Sequence, residues 1–113
     1  GGPGIVSEAD ARFFKVEGET IRLLEGIPEA WRLESFEARA LPTPFGPLTL
    51  KYSGAYDIRA LELDGACKPP GGFLLPAGPK MKAKVDGKDA SPGDGVLKFP
   101  ASARSVELCK PIE

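Results

Sequence analysis

The chain has 113 residues, enough for one domain and too few for a second core. Hydrophobic residues make up 42% and charged residues 27%, a balance that lets a chain of this size bury a core of its own. With 15 basic against 16 acidic residues it lacks the cationic excess of a nucleic-acid-binding face, and no apolar run approaches the ~20 residues of a membrane helix.

The opening Gly1-Gly2-Pro3-Gly4 has no methionine and no signal peptide, so the chain reads as a piece excised from a longer protein. Residues 4–16 are the one stretch with helical character. Ser7 and Asp10 have capping-box spacing, Phe13, Phe14 and Val16 follow, and Gly18 ends the segment. A helix of one or two turns needs something to pack on. The two phenylalanines are therefore candidate anchors, on this domain or on a neighbour.

Beyond Gly18 the pattern becomes short apolar runs between turn residues, which predicts strands. Thr20–Leu24 is the first, with Ile21 and Leu23 on one face. Gly26-Ile27-Pro28-Glu29-Ala30-Trp31 reads as a turn leading into a single helical turn. Two strands, Phe36–Leu41 and Leu48–Tyr52, flank a rigid connector, Pro42-Thr43-Pro44-Phe45-Gly46-Pro47, whose prolines cannot donate to a ladder. Ser53-Gly54 predicts a tight turn into Ala55–Leu63. There Tyr56 and Ile58 have one parity and Leu61 and Leu63 the other, so a β-bulge near Ala60 is expected.

Asp64-Gly65, Asp86-Gly87 and Asp94-Gly95 are further turn signals, because Gly and Asp tolerate the positive φ of hairpin turns. Gly72–Leu75 is a short strand. In Lys80–Val85, Met81, Ala83 and Val85 alternate with Lys80, Lys82 and Lys84, so the lysines face solvent and guard against unwanted pairing. Leu97 with Phe99, and Val106 with Leu108, supply the last inward pairs. About eight strands at roughly 8–12-residue spacing point to an all-β, antiparallel β-sandwich with a short N-terminal helical lead-in.

The chain contains no histidine, which removes Ser-His-Asp and Cys-His nucleophilic machinery and the commonest zinc ligand. No glycine-rich loop has the spacing of a phosphate cradle. The carboxylates Glu29, Glu34, Glu37, Asp57, Glu62 and Asp64 lie in no distinctive motif, so no catalytic residue, metal site or cofactor is expected. Two cysteines, Cys67 and Cys109, permit one disulfide without requiring it, and two separate thiols are the simpler reading. Trp31, Tyr52 and Tyr56 have the flat apolar face and polar edge that stack on sugar rings. Packing within the fold competes with that role for all three.

Three segments, taken together, resemble a known family. Thr20-Ile21-Arg22-Leu23-Leu24-Glu25-Gly26-Ile27-Pro28-Glu29-Ala30-Trp31 looks like the strand and turn that open the C-terminal β-sandwich of glycoside hydrolases with an (α/α)6-barrel catalytic domain. Leu41-Pro42-Thr43-Pro44-Phe45-Gly46-Pro47-Leu48 is similar to the segment that follows it there. Pro69-Pro70-Gly71-Gly72-Phe73-Leu74-Leu75, then Val85-Asp86-Gly87-Lys88 and Leu97-Lys98-Phe99-Pro100, look like its closing hairpins. The resemblance spans roughly residues 19–109 and implies a parent whose catalytic carboxylates sit in the helical barrel, outside this chain. It also implies a secreted or periplasmic address.

On this reading residues 1–18 are a linker or helical lead-in from an upstream domain, and 19–113 form the sandwich. The expected role is a non-catalytic accessory domain that packs against and stabilises that catalytic domain, with Phe13, Phe14, Trp31 and Phe45 as contact candidates. The alternative is a carbohydrate-binding module built on Trp31, Tyr52 or Tyr56.

Overall fold

The computed structural model describes residues 12–27, 29–55, 58–78 and 80–109. Ten strands are present among them: β1 (Phe14–Glu17), β2 (Thr20–Leu23), β3 (Ser35–Thr43), β4 (Gly46–Gly54), β5 (Ile58–Gly65), β6 (Phe73–Pro76), β7 (Lys82–Val85), β8 (Lys88–Ala90), β9 (Val96–Phe99) and β10 (Ser105–Cys109). They form a four-stranded sheet in the order β1-β2-β6-β9 and a six-stranded sheet in the order β3-β4-β5-β10-β7-β8. All pairings are antiparallel except β2 with β6. The all-β, sandwich-like architecture expected from the turn spacing is present.

The core follows the two-residue period of the strands. Ile21, Leu23, Phe73, Leu75, Leu97 and Phe99 come from the small sheet, and Leu48, Leu50, Leu61, Leu63, Val106 and Leu108 from the large one; all are buried. Phe73 and Phe99 lie opposite each other across β6 and β9, with stacked rings 5.5 Å apart. Lys82 and Lys84 point outward from β7 while Ala83 is buried, as the alternation requires.

Several local expectations are corrected. The helical reading fails at its C-terminal end: Phe14–Glu17 is β1, paired with β2 through Phe14↔Leu23 and Glu17↔Thr20 around Gly18. Phe14 is thereby only 4% exposed. Strand pairing and burial outweigh the local capping signal, and Ser7 and Asp10 lie outside the described residues. The proline-rich connector is also shorter than expected. β3 runs through Pro42 to Thr43, and β4 starts at Gly46 and includes Pro47. Pro42 and Pro47 lie opposite each other, so that rung simply lacks a donor on both sides.

The bulge expected near Ala60 is absent, since β5 pairs in regular register with both β4 and β10. Leu61 and Leu63 are buried, while Ile58 faces outward at 49% exposure. A register shift occurs instead in β3, between Ala38 and Leu41. Ala40 takes φ 51° there and donates its N–H to Thr49 Oγ1 at 3.0 Å. The extra residue turns Ala38 and Leu41, which have opposite parity, to the same buried side. Ser53-Gly54 is likewise no turn, because β4 continues through Gly54.

Asp86-Gly87 and Asp94-Gly95 do make hairpin turns with positive φ at both residues. The first joins β7 to β8, a strand the sequence pattern did not predict, and the second lies between the bridged residues Gly93 and Val96. Asp64-Gly65 instead ends β5.

Candidate functional site

The connection between β2 and β3 builds the most distinctive surface. A 3₁₀ turn, Glu29–Leu33, carries Trp31. It is held against the end of β4 by the Tyr52 hydroxyl, which donates to the Arg32 carbonyl at 2.8 Å, and by the Gly54 N–H, which donates to the Glu34 carbonyl at 3.1 Å. The approach is close: a Cβ on Gly54 would lie 1.9 Å from the Arg32 carbonyl oxygen. The single helical turn expected of this stretch is thus present as the 3₁₀ turn that carries Trp31, and glycine at position 54 is what lets it dock.

Phe13 reaches the same place from the start of β1, where its carbonyl accepts the Leu24 N–H at 2.9 Å. Its ring lies 6.2 Å from Trp31 and 5.7 Å from Phe36, and Trp31 lies 5.6 Å from Phe36, all tilted. Phe36 stacks at 4.8 Å on Tyr52, its cross-strand partner. The Arg12 guanidinium sits 5.9 Å from the Trp31 ring centre. Phe13, Trp31 and Phe36 are half-buried, and Leu33 beside them is 59% exposed. The result is an aromatic end of the sandwich that is packed beneath and open above.

Of the residues singled out from sequence, Phe13 and Trp31 meet here. Phe14 belongs to the core and is no surface anchor. Phe45 is half-buried in the β3–β4 turn, about 30 Å from Phe36 along the hairpin at ~3.3 Å per residue. Tyr52 is 7% exposed, with its ring under Phe36, so it offers no stacking platform. Tyr56 lies outside the described residues. Phe36 was missed; its signal was the alternation it begins in β3, opposite Tyr52.

Next to this cluster a cavity of about 30 Å³ lies between the sheets, lined by Leu24, Ile27, Leu61, Leu75, Pro76 and Leu108 together with Tyr52, Arg32 and Arg59. That is room for about two water molecules. Arg59 has the same parity as Leu61 and Leu63, so it stands on the core side of β5, where Ile58 was expected. Burial pushes the Tyr52 hydroxyl above its ordinary range, and the positive charges of Arg59 and Arg32 act in the opposite sense.

The outer face of the six-stranded sheet is polar. Glu37 pairs with Lys51 at 3.7 Å and with Arg39, and Glu62 lies opposite Lys51. Hydrogen bonding to Arg39, opposed in part by desolvation, holds the Glu37 carboxyl below its usual range.

Cys67 and Cys109 are both free. Cys67 is buried with its Sγ 3.1 Å from Thr43 Oγ1, and burial pushes its thiol up, which suits packing and not nucleophilic attack. Among the described residues no three His, Cys, Asp or Glu side chains group to hold a metal ion, and no helix is long and apolar enough to cross a membrane.

Comparison of the chain with known protein families, with curated proteins and with solved structures returns no match.

Proposed function

We propose that the chain is a non-catalytic accessory β-sandwich that packs against the catalytic domain of a carbohydrate-active enzyme through its aromatic end. The observation that carries this reading is the half-buried Phe13–Trp31–Phe36 cluster with Leu33 exposed beside it. Inter-domain faces need apolar anchors within a polar rim, and here the exposed Arg12 stands over the Trp31 ring. Phe13, at the start of β1, belongs to this same end of the sandwich. The carbohydrate-active parent rests on the resemblance of the turn-and-strand segments alone.

The test is to express the chain and the region encoded upstream of it as separate polypeptides and measure their association. Association that is lost in Trp31→Ala and Leu33→Asp variants with unchanged melting temperatures supports the reading. No association, or association indifferent to both substitutions, sinks it. A saturable Trp31 fluorescence response to soluble oligosaccharides would instead favour a carbohydrate-binding module, with Trp31 as its remaining described aromatic.

A further inference from the structure

Among the described residues β3 is the longest strand at the edge of either sheet. It has nine residues and pairs there only with β4, whereas the edge strands β1, β8 and β9 have four, three and four. The Glu34 carbonyl accepts the Gly54 N–H across this ladder. Phe36 and Ala38 therefore bond to β4, and the backbone groups of Ser35 and Glu37 turn to the outer edge. A long, straight edge of this kind is a template for pairing with another chain. The charges on it give no protection against a second copy. In an antiparallel pairing of two copies centred on Ala38, Glu37 of each would lie opposite Arg39 of the other, so the pattern is self-complementary. Pro42 removes one donor from the far end but leaves residues 35–41 to be guarded in some other way.

The bulge at Ala40 interrupts this edge. Ala40 is exposed, yet it holds φ 51°, a left-handed conformation that is unfavourable for a residue with a Cβ. Thr49 Oγ1 secures it by accepting the Ala40 N–H. The core does not need the extra residue. With Ala40 left out, Phe36, Ala38 and Leu41 would follow one another at every second position. The inward set and the register with β4 would stay the same, and Thr49 would face Arg39 alone. We propose that the Ala40 bulge is a guard, bending β3 so that its edge cannot pair with the same edge of a second copy of this chain. A strained residue at the surface then has a role that packing does not give it. This inference is independent of the docking role of the aromatic end.

The test is the whole chain with Ala40 deleted, compared with wild type and Ala40→Gly by sedimentation over about a hundredfold range of concentration. Ala40→Gly keeps the bulge and takes the positive φ without steric penalty. The deletion variant is expected to keep a cooperative melt and to dimerise at concentrations where wild type and Ala40→Gly do not. Within it, Glu37→Arg should weaken dimerisation about tenfold by setting like charges opposite each other, and adding Arg39→Glu should restore it. In the wild type, the Glu37 amide is expected to exchange with solvent without protection. Protection of that amide would show an edge already covered and would overturn the proposal on the wild-type chain alone. A deletion variant that stays monomeric would overturn it, as would one that loses its cooperative melt, because the extra residue would then shape the hairpin itself. Dimerisation indifferent to both charge changes would place the contact elsewhere and overturn it as well.

Discussion

Tyr52 and Cys67 are the two residues at which the chemistry of single groups sets the behaviour of the fold. Both are acids that burial pushes upward from ordinary values of 10.0 and 9.0. In the unfolded chain each ionises at its ordinary value, while the folded chain still holds the proton. Their stabilising contribution is therefore complete below pH 9.0 and is lost as pH rises through the folded values. Melting temperature is expected to fall above about pH 9, and a Tyr52→Phe, Cys67→Ala double variant should show a flatter alkaline limb. At neutral pH, Tyr52→Phe removes the hydrogen bond to Arg32 but keeps the ring stack. A loss of about 1 kcal/mol in urea unfolding, with an unchanged denaturant slope, is expected.

Gly54 sets a steric rule in place of an electrostatic one. A Cβ there meets backbone, 1.9 Å from the Arg32 carbonyl oxygen, so Gly54→Ala must push the 3₁₀ turn off β4 and cost about 1–3 kcal/mol or more. Gly93 has open space around the same added atom and no positive φ. Gly93→Ala is thus expected to be neutral or to stabilise by up to about 1 kcal/mol through the unfolded chain. Thermal unfolding of the pair separates close approach from backbone freedom.

At the scale of elements, turn chemistry proves more local than strand assignment. The Asp86-Gly87 turn is set by φ 50° and 81° and then reinforced from outside the hairpin. Asp86 Oδ1 accepts the N–H groups of Arg104 and Ser105, each at 2.9 Å, which ties the turn to the start of β10. Asp86→Ala loses both bonds and places a Cβ-bearing residue without a polar side chain in the left-handed region. Destabilisation of about 2–3 kcal/mol by urea unfolding is expected, whereas Asp86→Asn, which keeps an acceptor and tolerates that region, should lose less than half as much.

β1 and the β3 bulge were harder to read for a different reason. Phe14 and Val16 share a parity, but so short an alternation also fits the helical template, and only the pairing Phe14↔Leu23 decides between them. In β3 the change of parity between Ala38 and Leu41 was present in the residues. The same kind of change near Ala60 carries no bulge, because there Ile58 faces solvent and only one parity of β5 is buried.

For the whole molecule, stability rests on the apolar residues that the two sheets bury against each other. Leu50 is fully buried in β4, between partners on β3 and β5. Leu50→Ala is expected to cost about 2–5 kcal/mol through lost transfer energy and the cavity left behind. Since Cys67 and Cys109 are free, a reducing agent should leave the melting temperature unchanged. A drop on reduction would mean that the thiols are bridged in solution.

Strand periodicity, Asp-Gly turns and the absence of histidine were enough to establish an all-β fold, most of its core and the expectation of no histidine-based chemistry. These features are local or compositional, and each acts wherever it lies in the chain. Which inward-facing residues end up in the core and which border a site could not be read that way. Trp31 and Phe13 meet only because the β1–β2 ladder and the 3₁₀ turn reach the same end of the sandwich. Phe14, one residue on, vanishes into the core because a strand sends successive side chains to opposite faces. Arg59 was unremarkable beside Ile58 until the regular register of β5 placed it inward and Ile58 outward. Contact between residues distant in sequence depends on how the two sheets pair and stack. That is a long-range outcome, which no window of neighbouring residues encodes.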